Sequence, residues 1–260
     1  MTPEKFTEAA QQFLARRVSG TKTYRLADVI KPLTIEEALA VQQEIIKLRP
    51  DVVAGWKCLL PLAEDKLIIA PIFSETMQKG EQCWLMKDNA KVRIEPEIAF
   101  VLSKDLPARD EEYSEAEIDE AIGSCHMALE LIQSRFAEDS DALFPERLAD
   151  CLANQGLYIG PEIDRTTAFS ASKISLFISQ TEKSGELSEQ IFDGVHPNPL
   201  PQLPVYWAIN FMTKRGTTFK QGEALTTGSY AGVVELDFDK KTHIEYAGIG
   251  KFDVIFKELI

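Results

Sequence analysis

The hydrophobic period of this chain changes near Val52, and that change limits the folds open to it. Before it, apolar residues recur at intervals of three and four. Phe6, Ala9, Ala10, Phe13, Leu14 and Val18 follow a Thr2-Pro3 start, and Gly20 stops the pattern. The pair Thr34 and Glu37 predicts a capping box opening a second helix, with Ala38, Leu39, Val41, Ile45, Ile46 and Leu48 as its apolar residues and Pro50 as its end. After Val52 come runs with strand character: Val92 to Leu102, Met127 to Ile132, Ile174 to Ile178, Tyr230 to Phe238, His243 to Tyr246 and Phe252 to Phe256. Helices interrupt them, one behind a Ser114–Glu117 capping box, one over Pro145 to Ala153, and one over Val205 to Lys214 that Gly216 stops. The polar stretch from Ser179 to Leu203, with Gly185, Gly194 and three prolines, predicts a long loop, either a lid or a plain surface connection. The sum is an α+β chain: a helical segment over residues 1–55 and a β-rich body over 56–260 with helices packed outside.

Charge narrows the partners. Lys plus Arg number 28 and Asp plus Glu 41, a net charge of −13, which repels nucleic-acid phosphates and the anionic face of a membrane. The longest apolar runs, Leu67 to Ala70 and Leu157 to Gly160, fall far short of the ~20 residues a bilayer requires. The polar opening Thr2-Pro3-Glu4-Lys5 predicts no secretion signal. Cys58, Cys83, Cys125 and Cys151 are scattered without a C-x-x-C pair, so they read as reduced thiols of a cytoplasmic protein rather than zinc ligands.

The segment Arg93-Ile94-Glu95-Pro96-Glu97-Ile98-Ala99-Phe100-Val101 carries the most chemistry. On a strand, Glu95 and Glu97 share one face, their Cα atoms roughly 6.6–7 Å apart. Two like charges side by side resist burial, yet the apolar run that follows predicts a strand entering a core. Either the strand lies at an edge with both carboxylates solvated, or a hard cation such as Mg²⁺ or Mn²⁺ sits between them. Ala128-Leu129-Glu130-Leu131-Ile132 offers a third carboxylate, Glu130, interrupting a second apolar run; a solvated strand face is the plain alternative. Lys57, flanked by Trp56, Cys58 and Leu59, either faces an anion or carries its ammonium out to water. His126, His196 and His243 are too far apart to suggest a triad, and no nucleophile signature accompanies them. Gly222 to Ser229 ends in a small-residue turn whose N–H groups can cradle an anion or simply reverse the chain. No phosphate-binding glycine motif occurs.

These segments, with Gly55-Trp56-Lys57, Ala128 to Arg135, His196-Pro197, Arg215-Gly216 and Leu225-Thr226-Thr227-Gly228-Ser229 in that setting, resemble one family over essentially the whole chain. It comprises the 2-hydroxypenta-2,4-dienoate (2-oxopent-4-enoate) hydratases and oxalocrotonate decarboxylases of the fumarylacetoacetate hydrolase superfamily. The resemblance implies a mixed β-roll or sandwich with outer helices. It also implies Mg²⁺ or Mn²⁺ held by Glu95, Glu97 and Glu130, chelating the carboxylate and 2-oxygen of a short dienol acid from aromatic meta-cleavage. Lys57 would contact the substrate and assist proton transfer, with Thr227, Gly228, Ser229 and Gln133 as further substrate-binding residues.

Such a site stabilises an enolate, and the pocket then decides between hydration, decarboxylation and C–C cleavage. Hydration of a 2-oxo or 2-hydroxydienoic acid is the simplest expectation. An oxalocrotonate-type decarboxylase, an acylpyruvate hydrolase and a non-catalytic partner subunit of the same fold are the alternatives. The resemblance also implies a homo-oligomer and allows a complex with a partner pathway enzyme. Three departures fall around the substrate pocket. Cys58-Leu59-Leu60 replaces Gly-Leu-Thr, Ile72 stands where an acid often does, and Asn154-Gln155-Gly156-Leu157 replaces Asp-Asn-Ala-Ser.

Overall fold

The computed structural model describes residues 1–63, 65–181 and 185–259. The N-terminal periodicity forms α1 (Pro3–Ser19), opened by Pro3 in its first turn and closed by Gly20 in the left-handed conformation, and α2 (Ile35–Leu48). Ala9, Ala10 and Phe13 of α1 bury against Ala38, Val41 and Ile45 of α2, with Ala70, Phe73, Phe136 and Leu148 of the body completing that cluster. Val18, counted in the same stripe by sequence, is instead 82% exposed. The capping box of α2 is half formed: Thr34 accepts from the Glu37 N–H, but the Glu37 carboxylate accepts from Leu33 N and pairs with the chain's terminal amine.

The body follows as β1 (Val53–Ala63), β2 (Lys66–Phe73), β3 (Met77–Gln78), β4 (Gln82–Leu85), β5 (Val92–Leu102), α3 (Glu115–Ala121), β6 (Ile122–Ile132), α4 (Phe144–Ala149), β7 (Asn154–Ile163), α5 (Arg165–Ser170), β8 (Lys173–Thr181), β9 (Leu187–Val195), α6 (Leu203–Thr213), β10 (Ala224–Thr226), β11 (Val234–Leu236), β12 (Lys241–Tyr246) and β13 (Gly250–Glu258). Among the described residues these strands form two mixed sheets. One runs β2-β1-β10-β5-β6-β7-β3, with β11 also on β5; the other runs β4-β13-β12-β8-β9. Between them lies the main core, with Ile94, Ile98 and Phe100 of β5, Leu129 and Leu131 of β6, and Ile244, Tyr246, Val254 and Phe256 of the second sheet. Among the described residues no helix is long and apolar enough to cross a membrane. The four cysteines are free and buried.

Several expectations are corrected. The Ser179–Leu203 stretch is no lid: Ser179 to Thr181 continue β8, and Leu187–Val195 is a strand paired to it along its length. Glu182, Lys183 and Ser184, in the same stretch, lie outside the described residues. β9 is an edge strand whose Leu187, Ile191 and Val195 face solvent while Phe192 and Gly194 face the core, so its apolar residues do not mark the buried face and it shows the composition of a loop. The Tyr230–Phe238 run shrinks to β11, because residues before Val234 turn across the site instead of pairing. The helix expected over Pro145 to Ala153 stops at Ala149. Cys151, Leu152 and Ala153 then take positive φ values of 59°, 52° and 63°, a left-handed turn that L-residues adopt only when held there.

Candidate metal centre

β5 is interior to its sheet, so the edge-strand reading of Glu95 and Glu97 is excluded. On one side β6 pairs antiparallel, placing Glu130 directly opposite Glu95 and Ala128 opposite Glu97. On the other side, β10 pairs with Ala99 to Val101 and β11 with Val92 to Ile94. The ladder is therefore interrupted beside Glu95-Pro96-Glu97. Pro96, which has no N–H to donate, sits where no ladder donor is needed, and its carbonyl accepts from Tyr230 N at 3.1 Å. The turn after β10 fills the gap, and Gly228 N donates to Glu97 Oε2 at 3.1 Å. Gly228 has a φ of +111°, and an added Cβ would lie 2.7 Å from Pro197 and 2.8 Å from Leu59. Glycine is required there on both counts. The small-residue turn thus cradles an anion, and the anion is Glu97.

The three glutamates converge. One carboxylate oxygen from each of Glu95, Glu97 and Glu130 lies within 4.8 Å of the others. Glu97 is 2% exposed and Glu130 fully buried, so a solvated face is excluded for both. Lys57 of β1 reaches across from the same sheet face, its Nζ 2.7 Å from Glu130 Oε1, so its ammonium is paired rather than carried to bulk water. Asn154 Nδ2 donates to the same oxygen at 2.9 Å, leaving Glu130 Oε2 buried with no partner. Three ionised carboxylates against one ammonium would leave two negative charges in a largely buried site. A buried orphan oxygen, an all-oxygen donor set and a net charge of two fit one hard divalent cation.

The titration of the site reflects the same crowding. Burial, then the neighbouring Glu130 charge, pushes Glu95 up to about 7. Burial and the Glu130 and Glu95 charges push Glu97 well above the ordinary carboxylate range. For Lys57, burial lowers the pKa, but the charges of Glu130, Glu95 and Glu97 together outweigh it and hold the amine above its ordinary value.

The pocket above the carboxylates has a volume of about 280 Å³, and Cys58, Leu59, Ile68, Leu152 and Pro197 supply its apolar wall. Of the expected substrate-binding residues, Lys57, Gly228 and Ser229 line it. Thr227 and Gln133 do not. The Thr227 hydroxyl turns to His196 Nε2 at 3.4 Å, and Gln133 points its amide at Met86 Sδ, 3.7 Å away. The histidines have ordinary partners: His126 bonds Ser124 Oγ and Gly160 O, and His243 bonds Asp253. Ile72 is fully buried beside Ala99, Ala128 and Leu157, supplying the site with no acid.

Sequence reasoning gave no role to six residues that support the site. Asn154 orients Glu130, and its neighbour Leu152 walls the pocket from the left-handed turn. That turn is held at its two ends by arginines: Arg135 binds the Asp150 carboxylate at 2.8 Å, and Arg17 of α1 donates to Asp150 O and Asn154 O. Tyr246, from the opposite sheet, donates its hydroxyl to Glu97 O and Ala128 O at 3.2 and 3.0 Å, fixing the two strands that carry the glutamates. Thr226 lines the pocket one residue before the turn emphasised by sequence. Of these, only Asn154 carried a hint, since it opens the Asn154-Gln155-Gly156-Leu157 stretch where the family motif is altered.

No family model matches the chain. Its full length is similar to the 2-keto-4-pentenoate hydratase of Paraburkholderia xenovorans (strain LB400), at 25% identity over 271 aligned residues, covering 99% of this chain and 97% of the relative. Among solved structures, 4-oxalocrotonate decarboxylase from Pseudomonas putida G7, complexed with magnesium and adipate, matches with a TM-score of 0.75 at 19% identity, covering 99% of both chains. A protein from Yersinia pestis CO92 assigned to the fumarylacetoacetate hydrolase family matches with a TM-score of 0.51 at 18% identity, covering 81% of this chain and 95% of that one. The chain has the fold of that superfamily, and these similarities support the resemblance drawn from its motifs.

Proposed function

We propose that this protein is a divalent-metal-dependent lyase that hydrates a short 2-oxo or 2-hydroxydienoic acid. The observation that carries the reading is the converging triad Glu95, Glu97 and Glu130 with its orphaned Glu130 oxygen. Full-length similarity to a 2-keto-4-pentenoate hydratase supports the hydratase chemistry. A fold shared with a magnesium-complexed decarboxylase supports the metal and keeps decarboxylation as the second reading. Mg²⁺ is the first expectation and Mn²⁺ the second, both hard ions suited to carboxylates. Soluble expression in the cytoplasm and a homo-oligomeric assembly belong to the same reading.

Glu95, Glu97 and Glu130 would hold the cation by one face. Bound there, the ion would supply positive charge against the carboxylate and 2-oxygen of the acid, stabilising the negative charge that builds on the 2-oxygen. The protein's own groups do the rest. Gly228 N fixes the Glu97 carboxylate, and Lys57 with Asn154 fixes that of Glu130. Lys57 is the proton carrier at C3. The three carboxylate charges outweigh burial and hold its amine above the ordinary value, so it stands protonated beside the site as a donor. The apolar wall of Leu59, Ile68, Leu152 and Pro197 keeps bulk water from the reacting carbons.

The test is Mg²⁺- or Mn²⁺-dependent loss of dienol absorbance with 2-hydroxypenta-2,4-dienoate, abolished in Glu97→Ala. Full activity in excess chelator overturns the reading. Carbon dioxide released from an oxalocrotonate-like diacid, without hydration of the monoacid, favours decarboxylation.

A further inference from the structure

The hydration step needs a group to orient water, and Ile72 stands where relatives of this kind often carry an acid. Three hydroxyls lie in Thr226-Thr227-Gly228-Ser229. Thr227 Oγ1 faces His196, whose Nδ1 accepts from Asn198 N. Ser229 Oγ donates to Gly232 O at 3.0 Å and accepts from Ala231 N at 3.2 Å. Thr226 is fully buried, lines the pocket, and its Oγ1 has no hydrogen-bond partner among the described residues. A buried hydroxyl left unpaired costs free energy, so its retention calls for a partner that the protein alone does not provide.

Register fixes where that hydroxyl points. Thr226 is the cross-strand partner of Lys57 on one side and of Ala99 on the other. Directly opposed residues share a sheet face, so Thr226 stands beside Lys57 on the face that carries Glu95, Glu97 and Glu130. Of the hydroxyls that line the pocket, that of Ser229 is already engaged with Gly232 and Ala231, whereas that of Thr226 is not engaged. From these observations we infer that the Thr226 hydroxyl holds the water that adds to the substrate. This rests on the hydratase reading above.

The step balances without an outside reagent other than water. The 2-hydroxydienoic acid first ketonises, losing its 2-hydroxyl proton while C5 gains one, to give the conjugated 2-oxo-3-enoic acid; the water oxygen then bonds to C4, and the C3=C4 π pair moves toward the C2 oxygen. C3 then takes a proton from Lys57, and the proton shed by the added water returns to the Lys57 amine by way of its neighbour, the Thr226 hydroxyl. A threonine hydroxyl can accept one hydrogen bond and donate another at once, which suits both roles.

The experiment compares wild type, Thr226→Val and Thr226→Ser in Mg²⁺. Hydration of 2-hydroxypenta-2,4-dienoate is followed by absorbance, C3-proton exchange of 2-oxopentanoate by NMR, and Tm by calorimetry. Thr226→Val is expected to lower hydration kcat by about 100-fold, the scale of losing one positioned hydrogen-bonding group. The ratio of hydration to exchange should fall at least about tenfold, and Thr226→Ser should recover most of it. Tm should hold or rise in Thr226→Val, because an unpaired buried hydroxyl is removed. Equal loss of hydration and exchange, an unchanged ratio, or a lowered Tm overturns the inference while leaving the lyase reading intact. Absence of both hydration and exchange in the wild type overturns the two together.

Discussion

Replacing Glu95 by glutamine should stabilise the metal-free protein, and only above the acid range. The Glu95 carboxyl is pushed from its ordinary 4.5 up to about 7, by burial first and by Glu130 next. A carboxyl raised on folding contributes its full stability below the unfolded value and loses it as pH climbs through the folded one. Between pH 4.5 and 8 the wild type therefore forfeits about 3 kcal/mol at this residue, and Glu97 acts in the same direction. A chain of 260 residues has an unfolding entropy near ~0.55 kcal/mol/K, so the loss corresponds to about 5 °C in Tm. Glu95→Gln, neutral at every pH, escapes it. In chelator, the two proteins should melt together near pH 4.5, with the variant about 5 °C higher at pH 8. Adding Mg²⁺ should raise the wild type at pH 8 and leave the variant nearly unmoved, since the ion binds the ionised form. Scanning calorimetry across this range decides it. A wild type that matches or exceeds the variant at pH 8 without metal refutes the claim that the site is over-charged when empty of a cation.

Two further outcomes follow from the supports of the triad. Asn154→Ala removes the donor to Glu130 Oε1 and should weaken Mg²⁺ affinity by roughly 10-fold or more by calorimetric titration, with the fold retained. Tyr246→Phe leaves the Glu97 and Ala128 carbonyls without their hydroxyl donor inside the core; unfolding in denaturant should show a loss of about 1–3 kcal/mol.

Much of the site was legible because its residues announce themselves locally. Glu95 and Glu97 two apart on a predicted strand must share a face, and Val92–Leu102 is that strand as built. Glu130 stands out as one acid inside an apolar run, and pairing then places it opposite Glu95. Asn154 and Tyr246 were not legible, because their roles depend on register and on contact between sheets. Neither is encoded in the residues flanking them. Thr226 was passed over for Thr227 because nothing in the sequence marks that β10 ends at Thr226 and that Thr227 opens the turn, and the short strand gave no alternation to decide it. The β9 edge was misread for a related reason: its aliphatic residues Leu187, Ile191 and Val195 lie on the exposed face, while the face turned to the core carries Gln190, Phe192 and Gly194, so the alternation does not point to burial. The left-handed turn at Cys151 to Ala153 contains no glycine to mark it, and tertiary anchors from Arg17 and Arg135 hold it instead.

The central claim is that three buried glutamates grip one divalent cation. A crystal grown with Mn²⁺ and oxalate, a flat two-oxygen mimic of the enolised acid, tests it at the manganese absorption edge. The account predicts a single anomalous peak lying about 2.0–2.3 Å from one oxygen each of Glu95, Glu97 and Glu130, with oxalate on its open side. Clear density for all three side chains with no peak among them, or manganese bound elsewhere, contradicts it.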